Sequence, residues 1–165
     1  LVASPVRGLP VGALVVTVLA VGVLALAEEV GWRGYALPRL TGRFGPVRAT
    51  LAVAAVALVW HAPLFALPDG MGSLPVAAFV PMGLALAVLL SWVYLNTGSV
   101  LLATVFHAGI NVWGNVVPTH PSVTGDPLSG YAFAATVCVA ALAVGASTGG
   151  TLVRTREESQ PTPAD

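Results

Sequence analysis

Long apolar runs separated by short, turn-rich links set the pattern of this chain. Apolar residues dominate from about Leu9 to Leu37, Val47 to Leu67, Val76 to Tyr94, Val100 to Val117 and Tyr131 to Ala146. Several of these runs approach or exceed the ~18–20 residues that a helix needs to cross a hydrocarbon core. The links "PRLTGRFGPVR", "PDGMGSLP", "NTGS" and "PTHPSVTGDPLSG" are rich in glycine and proline, the residues that punctuate helices. Pro38 and the first link are expected to stop the first span. Strict alternation of apolar and polar positions is absent, which argues against a membrane barrel. The pattern predicts an all-α, polytopic transmembrane helix bundle of about five spans. Residues 1–147 form its membrane domain, and residues 148–165 form a polar tail of the composition that stays disordered.

Composition sharpens this picture. Of 165 residues, 56% are hydrophobic and 8% are charged, and the mean hydropathy is +0.87. Soluble domains carry about a quarter charged residues, so too few are present here to keep a surface of this size wet. Net charge is zero, which gives no electrostatic footprint for nucleic acid. Cys138 stands alone in an apolar run, so an internal disulfide is excluded and the expected role is a small buried hydrophobe. The first residue is Leu1, and a chain preceded by further spans is one expectation. Arg39, Arg43, Arg48, Arg154 and Arg156 fall on one side of a five-span bundle, while Asp69 and Asp126 lie in the loops of the other. The positive-inside rule then places the first link and the C-terminus in the cytoplasm of a multi-pass cell-membrane protein.

The ionisable groups at membrane depth are few: Glu28, Glu29, Arg33, His61 and His107. Such groups are costly in hydrocarbon and mark function by default. Glu29 and Arg33 are four apart and share a helix face, where they can pair. Glu28 is rotated about 100° from Glu29 and points elsewhere. A charged helix end near the headgroups explains this pair equally well on spacing alone. His61, in "LVWHAPLF", reads alone as a hydrogen-bonded core histidine. His107 and Asn111, in "TVFHAGIN", share a face and can both address one oxygen. Depth favours the functional reading. Glu28 lies roughly 15 Å before Pro38, His107 roughly 14 Å after Gly98, and His61 roughly 22 Å after Pro46, at 1.5 Å per residue. Three helices thus bring polar groups to similar levels.

A carboxylate and a histidine converging on one water make a general-base pair. A second histidine with an asparagine can hold the oxyanion of an attacked carbonyl. These parts read as peptide hydrolysis without a covalent nucleophile. No HExxH or GxGD is present, and "GASTG" (Gly145 to Gly149) matches GxSxG at a helix end rather than at a strand-turn-helix elbow.

"EEVGWR", "WHAP" and "HAGIN", in this order and spacing, resemble the three motifs of the CPBP (CAAX protease and bacteriocin-processing, or Abi) family, which is related to the type II CAAX prenyl endopeptidases. The resemblance covers roughly Glu28 to Val117. The family's second motif has phenylalanine four residues before the histidine, where this chain has Ala57. The resemblance implies an intramembrane endopeptidase in which Glu28 and His61 activate water, His107 and Asn111 stabilise the oxyanion, and Glu29 with Arg33 supports the site. The family is often labelled a metalloprotease, and Glu28, His61 and His107 are the set that would hold zinc. A metal-free mechanism is favoured, because Asn111 is a poor zinc ligand and shares its oxygen with His107. Expected partners are membrane lipid and a peptide or protein substrate, its C-terminal segment included. Two readings of another class remain: a non-catalytic bacteriocin-immunity or scaffold protein of the same fold, and a small transporter with a proton relay. Internal repeats, which a transporter would more often show, are not visible.

Overall fold

The structure, a computed structural model, describes residues 10–67, 71–116 and 125–154. They form helices and turns, with no strand among them. Helix α1 (Val11–Glu29) passes through a π-helical turn (Val30–Ala36) into α2 (Leu37–Phe44). Helix α3 (Pro46–His61) ends in a 3-10 turn (Ala62–Ala66), and a second such turn (Met71–Ser73) precedes α4 (Val76–Thr97). Helices α5 (Val100–Val116) and α6 (Pro127–Ser147) complete the bundle. Among the described residues, four helices are long and apolar enough to cross a membrane: Leu14–Phe44, Pro46–Ala66, Val76–Thr97 and Pro127–Ser147. Helix α5, with 17 residues, is shorter.

The first span does not stop at Pro38. The rod continues to Phe44 and breaks at Gly45, whose φ of 78° is a conformation that glycine adopts without steric cost. Proline normally breaks a helix because it lacks an N–H and its ring meets the carbonyl four residues back. Here Pro38 sits in the first turn of α2, just after the widened turn, where the Leu37 N–H reaches back five residues to Trp32. The wide turn also explains a stripe. Ala25, Glu29, Arg33 and Leu37 are all buried, at 1%, 0%, 4% and 0% exposure, and stand four apart. In a pure α-helix, steps of four drift about 40° each around the axis. One π turn takes up that drift and keeps the stripe facing its neighbours.

Helix α4 is the centre of the bundle and packs against α3, α5 and α6, while α1 packs on α5 and α2 on α3. Its buried positions include Ala78, Ala85, Ala87 and Ser91, small residues that let helices approach where no hydrophobic drive separates protein from lipid. The tightest approach is at Gly83, where a Cβ would stand 2.6 Å from Leu58 Cδ2 of α3. One apolar core gathers Leu74, Ala78, Phe79, Met82 and Ala134 at the start of α4. Another joins Leu37, Ala49 and Val53 to Tyr94 and Leu95 at its far end. Helix α6 starts earlier than the expected Tyr131, with Asp126 Oδ1 accepting the Leu128 N–H at 2.9 Å and Pro127 in the first turn, a standard N-terminal signature. Cys138 is partly buried in α6, and its S–H donates to Pro81 O of α4 at 3.6 Å.

The first residues of the expected disordered tail are folded. Asn96 of α4 donates to Leu152 O at 2.9 Å and accepts the Arg154 N–H at 2.8 Å. This clasp holds Leu152, 4% exposed, at a φ of 61°. The Arg154 guanidinium lies 5.0 Å over the Trp92 ring. Arg39, Arg43, Arg48 and Arg154 therefore share the end of the bundle where α2 meets α3 and α4 finishes. Two other charges used to orient the chain, Asp69 and Arg156, lie outside the described residues, as do Val117 and residues 155–165.

Candidate active site

Helix α1 ends on two adjacent glutamates, and the helical rotation between them sends their side chains to different places. Glu29, on the buried stripe, is 0% exposed. Its Oε1 accepts from Arg33 Nη1 at 2.8 Å, the expected one-turn pair. The same oxygen accepts from Nδ1 of His107 on α5, also at 2.8 Å. That second bond spans 78 positions of sequence. Glu28 instead lines a cavity of about 380 Å³, and its buried Oε2 has no hydrogen-bond partner. Glu29 is not part of the cavity wall.

His61, His107 and Asn111 line the same cavity as Glu28. All four candidate catalytic residues thus face one space, drawn from α1, α3 and α5. The wall runs from Trp32 and Arg33 at one level to Met71, Leu74 and Phe79 at the opposite end of the helices. It is therefore polar at the α1–α5 side and apolar beside the second 3-10 turn. Ala57, at the position of the family phenylalanine, is also in the wall, and its backbone carbonyl accepts from His61 Nδ1 at 2.7 Å.

These contacts fix the imidazole tautomers. A carbonyl oxygen only accepts, so His61 Nδ1 carries a proton. A carboxylate already holding Arg33 also accepts, so His107 Nδ1 carries one too. In each neutral ring the lone pair then sits on Nε2. This bears on the role expected of His107. A neutral ring bound in this way does not donate to an oxyanion from Nε2. It donates there only when it carries both protons, with Glu29 as the anion beside it. The donor types of Glu28, His61 and His107 suit zinc. Yet among the described residues no three His, Cys, Asp or Glu side chains gather closely enough to share a metal ion.

Residues 10–113 match the family described as type II CAAX prenyl endopeptidase Rce1-like. The chain is 31% identical to CAAX prenyl protease 2 of Methanococcus maripaludis, over 53% of this chain and 35% of that protein. The matched region is thus about a third of that curated relative. No solved structure matches.

Proposed function

The chain belongs to the Rce1-like family of type II CAAX prenyl endopeptidases, and on that premise we propose that it is an intramembrane endopeptidase using a water activated by Glu28. The supporting observation is the convergence of Glu28, His61, His107 and Asn111 on one cavity, with the Glu28 Oε2 buried and unpartnered. A carboxylate oxygen left without a donor in a helical bundle is expensive. The Glu28 side chain lines the cavity, so a water entering that space meets its carboxylate.

In this reading the water donates one hydrogen to Glu28 and the other to Nε2 of His61. Its oxygen attacks the carbonyl carbon of the substrate while Glu28 takes the proton. The amide of Asn111 donates to the oxygen of that carbonyl as negative charge builds there. His107 joins it when doubly protonated. Glu28 then passes its proton to the departing amide nitrogen, and the C–N bond breaks. Glu29, paired with Arg33, holds the His107 ring and touches no reacting atom. The substrate class, a C-terminal peptide segment carrying an apolar group, follows from the name of the curated relative and from the apolar wall at Met71, Leu74 and Phe79. The arginine-rich end is read as cytoplasmic.

The test is cleavage of a fluorogenic C-terminal peptide, with and without a farnesyl group, by the purified protein in lipid vesicles. Wild type is expected to cleave, and to keep its activity after a strong chelator has removed bound metal. Folded protein that cleaves neither peptide overturns the protease reading. Activity lost to the chelator and restored by zinc overturns the metal-free mechanism and leaves the protease standing.

A further inference from the structure

The wall of the active-site cavity holds one fixed cation among the described residues, Arg33. Pairing with Glu29 does not account for all of it. Glu29 stands outside the wall and Arg33 stands in it, so the guanidinium reaches from the buried pair to the open space. A guanidinium carries five N–H donors in a planar fork. Arg33 commits Nη1 to Glu29 Oε1, an oxygen shared with His107 Nδ1. Its Nε is enclosed and unpartnered. Nη2 is the nitrogen left over: no hydrogen bond occupies it, and it is not among the enclosed atoms.

Position along the cavity decides which part of a substrate meets this nitrogen. Met71, Leu74 and Phe79 form the apolar end, and Trp32 and Arg33 lie at the other. Glu28 stands between them, five residues before Arg33 on the same rod. That offset is roughly 7 Å along the axis, and side chains on one helix lean the same way, so it is kept at their tips. An extended chain advances roughly 3.5 Å per residue. A peptide with its apolar group at Met71 and Phe79 and its scissile carbonyl at Glu28 therefore brings the second or third following residue to Arg33.

We propose that Arg33 binds the free α-carboxylate of the substrate, so that the protein cuts a bond two or three residues from a C-terminus and spares the same sequence inside a chain. The inference rests on the endopeptidase reading. The fork of arginine matches a carboxylate, and such charge-assisted bonds are the strong ones. Two carboxylates, Glu28 and Glu29, already stand near this one guanidinium, so an anion is retained only when the rest of the peptide holds it in register. Arg33 is a substrate-binding residue here and touches no reacting atom.

The test compares matched peptides that carry one apolar group and end in a free acid or an amide. Binding is read on Glu28→Gln, which keeps Arg33, and cleavage on wild type, both as the full chain in lipid vesicles. The free acid should bind about tenfold to a hundredfold more tightly than the amide, the worth of a hydrogen bond to a charged group. In wild type the same factor should appear in KM, with kcat little changed. The preference should hold with two or three residues after the scissile bond and vanish with six. Arg33→Gln should bring acid and amide to parity. Equal binding of acid and amide overturns the inference, as does a preference that survives six trailing residues or folded Arg33→Gln. If Arg33→Gln melts early, the acid–amide comparison and the length series decide alone. Cleavage of acid and amide alike leaves the protease reading standing without the anchor. Acid-selective binding with no cleavage of either peptide overturns the protease reading and leaves the carboxylate site.

Discussion

Glu28 and Glu29 are adjacent in sequence and sit in opposite surroundings. Glu29 is enclosed and gives one oxygen to two donors, Arg33 and His107. Glu28 turns into a cavity, with one oxygen unpartnered. The difference shows how a chain with 8% charged residues can commit one carboxylate to structure and leave its neighbour facing a cavity. A buried arginine needs a counter-charge, and a buried histidine needs a fixed tautomer. Glu29 supplies both from one position. That leaves Glu28 free of structural duty, so its environment can be a cavity rather than a partner.

The sharpest way to break this contrast is to neutralise each carboxylate alone. Glu28→Gln should lower peptide cleavage by about 10²–10⁴, the usual worth of a general base, with folded yield and melting temperature near wild type. Glu29→Gln should instead destabilise the fold by about 3–5 kcal/mol, since it strands a buried guanidinium. It would be read as lost yield and an early melting transition in detergent. Equal loss of yield in both variants would erase the distinction.

The remaining two changes probe the cavity side. Gly83→Ala places a methyl 2.6 Å from Leu58 Cδ2. The Leu58 side chain can turn aside but lines the cavity, so a cost of about 1–3 kcal/mol in stability is expected. Thermal unfolding checks it. Ala57→Phe should have the smallest effect. The bond to His61 uses the backbone carbonyl, which any residue keeps. A rise in KM of a few-fold with kcat unchanged is expected from the narrower wall. A large fall in kcat would mean that the residue 57 side chain positions His61.

The residues of the candidate site were legible because charge inside an apolar run is conspicuous. The Glu29–Arg33 pair could be read from spacing, since i and i+4 share a face of one helix. The Glu29–His107 bond could not. It joins two helices, and sequence spacing carries no phase between separate helices. That single contact ties Nδ1 of His107 to Glu29. The course of the chain past Pro38 was hidden for a related reason: proline signals a break, and the turn that absorbs it has no composition of its own. One trace was present, the regular step of four from Ala25 to Leu37. The turns of Thr148–Arg154 have a local signal in Gly149 and Gly150, both at positive φ past the end of α6, but the clasp from Asn96, 56 residues from Leu152, has none.

The π turn at Val30–Ala36 also works as a gear between two meshed surfaces. Ahead of it, α1 is phased by its contact with α5; behind it, α2 is phased by its contact with α3. A uniform rod could not satisfy both settings, because a helix has one angular clock. The wide turn holds a surplus residue and resets that clock between the two. Loss of one residue from the turn, Gly31 for instance, would lock the halves in step. Either the glutamates or Leu37 would then swing by about 100°. This seven-residue stretch should therefore tolerate changes of side chain, apart from Trp32 and Arg33, far better than changes of length.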